Sequence, residues 1–232
     1  MKAQEVLSKI FPDGYEIQSS GAIFHGIGTT SSGKVAVIGT EGHPVLGISI
    51  LLQLAELMLR VLREAPRRPI LLMVDNDGQK MALEDELLGL NQYLAHLIKV
   101  QDLARRKGHP VIALVYGNSW AGGFIGFGLC AGHTYATPDS NTSVMILPAI
   151  ARVTKLPLEY LEELSKTVAV FAPGVQNFER TGGVENVWDG DLNQCLEQAL
   201  QKDQSADRRA QLGAQRDGRP LAATVIDRIL NA

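Results

Sequence analysis

Residues 110–128 read PVIALVYGNSWAGGFIGFG, and this stretch decides the fold that the sequence predicts. The run PVIALV (110–115) has the apolar, β-branched character of a buried strand. The glycine-rich run that follows predicts a turn into a helix that begins near Trp120. A strand that leads through a short turn into a helix is the building unit of α/β proteins.

Strands and helices alternate on both sides of this stretch. The segments predicted before it are a hairpin (22–28 and 34–39), a helix (47–64), a strand (70–74), a turn (75–78) and a helix (83–107) with leucines at 83, 87, 90, 94 and 97 on one face. The segments predicted after it are two short strands within 134–146, a helix at 156–166 and a strand at 182–188. The order predicts an α/β fold of stacked β-β-α units, with one domain over 1–200 and a polar helical tail over 201–232 packed on it.

Composition excludes several classes of protein. The chain has 232 residues and a net charge of −3, with 45% hydrophobic and 20% charged residues, so nothing in it indicates binding to nucleic acid or to an anionic membrane. Residues 111–131 carry no charge, but Asn118 and Ser119 lie near their middle, which favours a buried strand and helix over a membrane span. The chain begins without the long apolar run of a signal peptide, so we expect a cytoplasmic protein.

Ser119 is a candidate nucleophile, because GNSWA (117–121) nearly matches the G-x-S-x-G turn of serine hydrolases. Only one histidine, His133, follows it, and no acidic residue lies between the two, so the chain order of an α/β-hydrolase is absent. The order serine, histidine, aspartate of ClpP-type peptidases leaves His133 available. The alternative role of Ser119 is a local hydrogen bond where the turn enters the helix.

The glycines suggest a different site. Gly122 and Gly123 at a helix start, and Gly78 in the turn after the preceding strand, leave backbone N–H groups open to a ligand. If the two strands are neighbours, these groups can bind one oxygen atom as an oxyanion hole. The alternative is two tight turns that merely require glycine. Asp75 and Asp77 lack further ligands that the sequence can locate, so we interpret them as turn residues and predict no metal site.

Five motifs, in this order of elements, resemble the carboxyltransferase branch of the crotonase superfamily. They are VDNDG (74–78), WAGGF (120–124), YATP (135–138), VM (144–145) and GGVENV (182–187). Within that branch, YGNSWAGGFIGFGL (116–129) and FAPGVQNFERTGGVENVW (171–188) are most similar to γ subunits of biotin-independent malonate decarboxylases.

The resemblance implies a crotonase- or ClpP-like superhelix of β-β-α units and an enzyme that removes CO2 from a malonyl thioester on an acyl carrier protein. It implies a β subunit that shares the active site at its interface with this chain, and an α subunit that exchanges acetyl for malonyl on the carrier. The carrier's arm would be a dephospho-CoA derivative, and no biotin would take part. The sequence identifies no cofactor bound by this chain itself. The backbone donors at Gly78, Gly122 and Gly123 would stabilise the enolate.

Three other functions are also compatible with the sequence. The chain could be a carboxyltransferase subunit that passes the carboxyl group to biotin, or a ClpP-like serine hydrolase with Ser119 as nucleophile. It could also be a non-catalytic scaffold that only shapes a partner's site.

Overall fold

The computed structural model describes residues 1–168, 172–203, 206–218 and 220–232. The predicted alternation of strands and helices is confirmed in the described parts of the chain. Its elements are α1 (Ala3–Ile10), β1 (Tyr15–Ser20), β2 (Ile23–Thr30), β3 (Gly33–Thr40), α2 (Ile48–Glu64), β4 (Ile70–Asn76), α3 (Leu83–Leu87), α4 (Leu90–Arg106), β5 (Val111–Trp120), α5 (Ala121–Gly123), a π-helix (Phe124–Leu129), β6 (His133–Ala136), β7 (Asn141–Ser143), α6 (Leu147–Thr154), α7 (Leu158–Thr167), α8 (Val175–Arg180), β8 (Asn186–Val187), α9 (Leu192–Leu200), α10 (Arg209–Gln215) and α11 (Pro220–Leu230).

The strands form one sheet in the order β1-β2-β3-β4-β5-β6-β8, with β7 paired to the end of β5. The first three strands pair antiparallel, whereas β3, β4, β5, β6 and β8 run parallel. Parallel strands end at the same edge of a sheet, so the loops that follow β3, β4 and β5 lie side by side. We call this the carboxyl edge of the sheet, and ligands of open α/β sheets bind in the crevice at this edge.

The sheet is buried on both faces, which explains why its central strands read as unbroken apolar runs. In β4, Ile70, Leu72 and Val74 pack with the helices α2 and α4 on one face. Leu71 and Met73 point to the other face and pack with α1 and α9. This core fixes the ends of β4 and β5 beside each other.

The predicted helix over 83–107 is wrong as a single element. The chain forms α3 and α4 instead, and Gly89 separates them in the left-handed region at φ 85°. Only the later leucines of the predicted face turn inward: Leu90 and Leu97 are buried, whereas Leu83 and Leu87 are 76% and 78% exposed. The leucine spacing continued across the break, so periodicity alone could not reveal it.

Other differences concern short elements. The elements α1, β1, α6 and α8 were not predicted from the sequence. The strand expected at the end of 134–146 stops at Ser143, before an exposed segment. The helix predicted at 156–166 is confirmed as α7. The first residue of the motif 171–188 lies outside the described residues, as do positions 204, 205 and 219 of the tail.

The two helices of the tail differ in their contacts. Next to α10, the Arg216 guanidinium donates to the carbonyl oxygens of Glu179 and Glu185 at 2.7 and 2.8 Å. In contrast, α11 carries apolar side chains in solvent, with Leu221 83% and Leu230 78% exposed. The proposed boundary near residue 200 remains a prediction. None of the described helices has both the length and the apolarity needed to span a membrane.

Candidate functional site at the carboxyl edge

The two glycine turns meet at the carboxyl edge. β4 and β5 pair in parallel, as the sequence analysis required, with Asn76 opposite Ser119. The turns are so close that a Cβ built on Gly78 would lie 3.1 Å from the Trp120 carbonyl oxygen. A Cβ built on Gly123 would lie 3.0 Å from the Gly78 Cα. The structure therefore brings together all three glycines singled out in the sequence.

Two of these glycines serve the packing of the turns. The Gly78 N–H donates to Oδ1 of Asn76 at 3.0 Å, and Asn76 is fully buried, so this donor is already used inside the chain. Gly78 also lies in the left-handed region at φ 86°, where other residues are strained. A Cβ on Gly123 would collide with the same Asn76 oxygen. Gly78 and Gly123 thus allow the two turns to touch.

The Gly122 N–H has a different partner. It donates to Oε1 of Gln79 at 2.8 Å, and both residues are only half-buried. The N–H belongs to the first turn of α5, where backbone donors have no partner within the helix. Of the three glycines, Gly122 is therefore the one whose N–H is bound by a partly exposed side chain.

Ser119 does not occupy the position of a nucleophile. Its side chain is fully buried, and its Oγ has no hydrogen-bond partner among the described residues. The strained residue at the turn from strand to helix is Ala121, at φ 48°, and it carries a methyl group instead of a hydroxyl. The near match to G-x-S-x-G therefore places its serine on the strand, two residues before the turn.

His133 lies at the opposite end of β5. It pairs with Ile112, seven residues before Ser119, which corresponds to roughly 20 Å along a strand. Its Nδ1 contacts Oε2 of Glu185 instead. The structure therefore contradicts a Ser119–His133 nucleophile and base pair, and with it the ClpP-like hydrolase.

The partners of His133 form an ionic cluster, which we define as His133, Glu185, Lys202 and Arg208. Lys202 lies 2.8 Å and Arg208 3.8 Å from Oε1 of Glu185. Burial raises the pKa of the Glu185 carboxyl, but the hydrogen bonds and charges of His133 and Lys202 outweigh burial and lower that pKa to about 2. The carboxylate is thus ionised and paired, which indicates a structural role.

The two aspartates of the turn are engaged by protein donors. Asp75 is buried, and its Oδ1 accepts the Asn118 N–H at 2.9 Å and contacts Nδ1 of His43 at 2.5 Å. Asp77 accepts from the Asn118 side-chain amide at 2.7 Å. These contacts fit the interpretation of both aspartates as residues that shape the turn.

Exposed apolar side chains border the site on two sides. We call them the apolar rim, and it consists of Met81, Leu83, Leu87, Leu88, Val144, Met145 and Ile146. The first four follow the Gly78 turn and are between 64% and 83% exposed. The last three follow β7, whose Ser143 pairs with Trp120. Large apolar side chains exposed in this number indicate a contact with another molecule.

A separate groove of about 990 Å³ lies away from this edge, between the β1–β2 hairpin, α1 and α2. None of Gly78, Gln79 and Gly122 lines it. The candidate site is therefore separate from this groove.

Comparison with known proteins agrees with the resemblance noted in the sequence. Residues 42–232 match the model of the malonate decarboxylase gamma subunit family, which covers most of the chain. The chain belongs to this family. A curated relative, the malonyl-S-ACP:biotin-protein carboxyltransferase MADD of Malonomonas rubra, is 38% identical over 124 residues. That alignment covers 52% of this chain, and the chain spans only 42% of the relative's length.

Solved structures share the fold. A Pseudomonas malonate decarboxylase hetero-tetramer in complex with coenzyme A has a TM-score of 0.77 at 23% identity, and covers 97% of this chain and 96% of its own. The MdcD–MdcE hetero-dimer of a Pseudomonas malonate decarboxylase gives 0.74 at 24% identity, with the same coverage. The transcarboxylase 12S core gives 0.69 at 18% identity, over 86% of this chain and 41% of its own. The predicted α/β, crotonase-like fold is confirmed.

Three side chains that shape this site were not predicted from the sequence: His43, Asn76 and Gln79. A signal existed for Asn76, because an asparagine two residues before a glycine commonly accepts the glycine's N–H in a turn. His43 and Gln79 gave none, since their contacts depend on how the loops after β3 and β4 pack. The bridge between Leu46 and Gln79 shows this packing.

Proposed function

We propose that this chain is the γ subunit of a biotin-independent malonate decarboxylase. With a β subunit it decarboxylates a malonyl thioester on an acyl carrier protein to an acetyl thioester and CO2. Membership of the gamma subunit family carries this proposal, and the meeting of the Gly78 and Gly122 turns at the carboxyl edge supports it.

The chemistry requires a donor rather than a nucleophile. When the C–C bond to the carboxylate breaks, CO2 leaves and its electron pair forms an enolate with negative charge on the thioester oxygen. A preorganised N–H directed at such an oxygen lowers the barrier by roughly 3 kcal/mol. Gly122 has the N–H best placed for this role, because the Gly78 donor is engaged by buried Asn76.

The proposed partners follow from the family match and from the exposed apolar rim. We assign the apolar rim to the β subunit, because the rim borders the site on both sides and would exclude water once covered. The relative from Pseudomonas was solved as an MdcD–MdcE hetero-dimer. The acyl carrier protein, with its dephospho-CoA-type arm, would deliver the malonyl group, and the α subunit would exchange acetyl for malonyl. The chain itself would hold no cofactor.

Reconstitution tests this proposal directly. The chain is mixed with its β subunit and malonyl carrier protein, without biotin or a biotin protein, and CO2 release is measured. We expect turnover by the pair and none above background by either subunit alone. Equal turnover by the isolated chain would refute the shared site, and no CO2 release from an assembled pair would refute the proposed reaction.

The second candidate is transfer of the carboxyl group to biotin. It is favoured by the similarity to the Malonomonas carboxyltransferase, whose name specifies a biotin protein as acceptor. Adding a biotin carrier to the reconstituted pair separates the two reactions. Carboxybiotin formed only with that carrier, and no CO2 without it, would support the carboxyltransferase.

A further inference from the structure

The side-chain oxygen of Gln79 occupies the donor that the proposed reaction needs. Its Oε1 accepts the Gly122 N–H at 2.8 Å. An amide oxygen is a planar carbonyl oxygen, like that of a thioester, and it binds the N–H in the same way. The contact therefore marks where a ligand oxygen would sit on this donor.

The side chain of Gln79 is weakly held. Gln79 is half-buried, and the other contact of its side-chain amide is from Nε2 to the Met81 sulfur at 3.8 Å. Met81 itself is 83% exposed. A long, half-exposed side chain held in this way can move aside at small cost, because a neutral hydrogen bond contributes little net free energy in contact with water.

Asn76 provides the contrast within the same turn. It binds the Gly78 N–H through a local contact two residues long, and it is fully buried. Its Nδ2, also buried, has no hydrogen-bond partner among the described residues. The turn thus carries two side-chain amides. That of Asn76 is fixed and its Nδ2 donor has no partner among the described residues, whereas that of Gln79 can move away. Only the Gln79 amide can give way to a ligand.

We propose that Gln79 is an internal ligand that covers the oxygen-binding position of Gly122 and is displaced by the substrate's thioester oxygen. This inference rests on the proposed function. Because Gln79 leaves before chemistry, it opposes substrate binding and takes no part in the bond-breaking step. Changes at Gln79 should therefore alter KM and leave kcat almost unchanged.

Two variants of opposite sign test this proposal in the reconstituted complex. Gln79→Ala removes the competing oxygen, and KM for malonyl carrier protein should fall roughly fivefold, the value of one neutral hydrogen bond. Gln79→Glu keeps the shape but places a carboxylate on the N–H. Charge-assisted bonds are about twice as strong, so KM should rise roughly tenfold and recover at acidic pH as that carboxylate is protonated. Gln53→Ala, at an exposed glutamine of α2, is the matched control and should change neither constant.

Hydrogen exchange at the Gly122 amide separates this inference from the proposed function. In the free chain, Gln79→Ala should speed exchange at Gly122 roughly fivefold, whatever reaction the complex catalyses. If hydrogen exchange at Gly122 were the same in both chains, the proposal that Gln79 covers this amide would be wrong. Faster exchange together with a kcat loss and no fall in KM would overturn its displacement by substrate. A third outcome is that the wild-type complex releases no CO2 while Gln79→Ala still speeds exchange at Gly122. In that case the proposed function would be wrong, but Gln79 would still be shown to cover the Gly122 amide.

Discussion

The two ends of strand β5 differ in how their polar groups are satisfied. At the amino end, beside Ile112, the ionic cluster pairs His133 with Glu185 and Glu185 with two cations. At the carboxyl end, three buried polar atoms that are in register across β4, β5 and β7 have no partner among the described residues: Asn76 Nδ2, Ser119 Oγ and Thr142 Oγ1. The side chains of the ionic cluster are thus paired with one another, whereas these three atoms have no partner among the described residues.

The difference between the two ends of β5 indicates that the functional site lies at the carboxyl end. Buried polar groups without partners cost stability, so a fold retains them where a ligand, water or partner is gained. The exposed apolar rim lies at the same end. We therefore expect substitutions in the ionic cluster to change stability, and substitutions in the apolar rim or at Gly122 to change assembly and turnover.

The largest effect is expected at the apolar rim. Leu87→Glu places a charge on a side chain that we assign to the β-subunit contact, and affinity for that subunit should fall roughly a hundredfold. The measurement is a titration of the two subunits followed by native mass spectrometry. The control is Leu230→Glu on α11, because Leu87 and Leu230 are both 78% exposed. Equal losses in the two variants would show that exposure alone, and not the rim, governs assembly.

The ionic cluster should affect stability instead. Glu185→Gln removes the carboxylate that pairs with Lys202 and contacts His133. The free energy of unfolding should fall by about 2 kcal/mol, less than for a fully buried pair, because Lys202 is partly exposed. Urea unfolding measures this change. The control is Glu163→Gln, whose exposed pair with Lys166 should be worth almost nothing. A loss of turnover in a complex of Glu185→Gln that still assembles would contradict the comparison.

The same carboxylate predicts a pH dependence. Its pKa in the folded chain is about 2, below the ordinary value of 4.5, so the unfolded chain binds the proton more readily. The stabilisation is therefore fully present above pH 4.5 and is lost as pH falls toward 2. In Glu185→Gln this part of the acid-induced destabilisation should be missing from unfolding curves measured between these pH values. If wild type and variant lost the same stability over this acidic range, the pairing of the Glu185 carboxylate would be refuted.

The smallest effect is expected at Ser119. Because Ala121 holds the strained turn position and His133 lies at the other end of β5, Ser119→Ala should change turnover by less than about twofold. Stability should stay equal or rise slightly, since the hydroxyl is buried without a partner among the described residues. A fluorophosphonate probe should not label the wild-type serine. Labelling at Ser119, or a large loss of turnover in Ser119→Ala, would support Ser119 as a nucleophile after all.

Much of the fold was accessible from the sequence. The runs at 34–39, 70–74 and 110–115 carry the apolar pattern of strands buried on both faces, and they became β3, β4 and β5 in parallel order. Neighbouring parallel strands necessarily bring their carboxyl ends together, so the meeting of Gly78 with Gly122 could be predicted without coordinates.

The contacts of the site could not be predicted in the same way. Leu83 and Leu87 continued a helical leucine pattern, but the left-handed turn at Gly89 leaves them on the surface. Whether the Gly78 N–H is free or used depends on the side-chain conformation of Asn76, and the Gln79 contact depends on loop packing. Such features follow from tertiary distances of a few ångströms, which periodicity and motif spacing do not encode.

The central claim is that chemistry at the carboxyl edge uses the Gly122 amide. A methyl group at Gly122 would lie 2.9 Å from the oxygen bound there and would crowd any ligand oxygen on this donor. Gly183→Ala is the matched control, because a Cβ at Gly183 makes only ordinary contacts, the nearest at 3.5 Å. CO2 release from malonyl carrier protein is measured with equally assembled complexes. We predict that kcat falls roughly tenfold or more in Gly122→Ala and is unchanged in Gly183→Ala. Equal kcat in all three complexes would contradict the claim and leave this chain a scaffold for its partner's site.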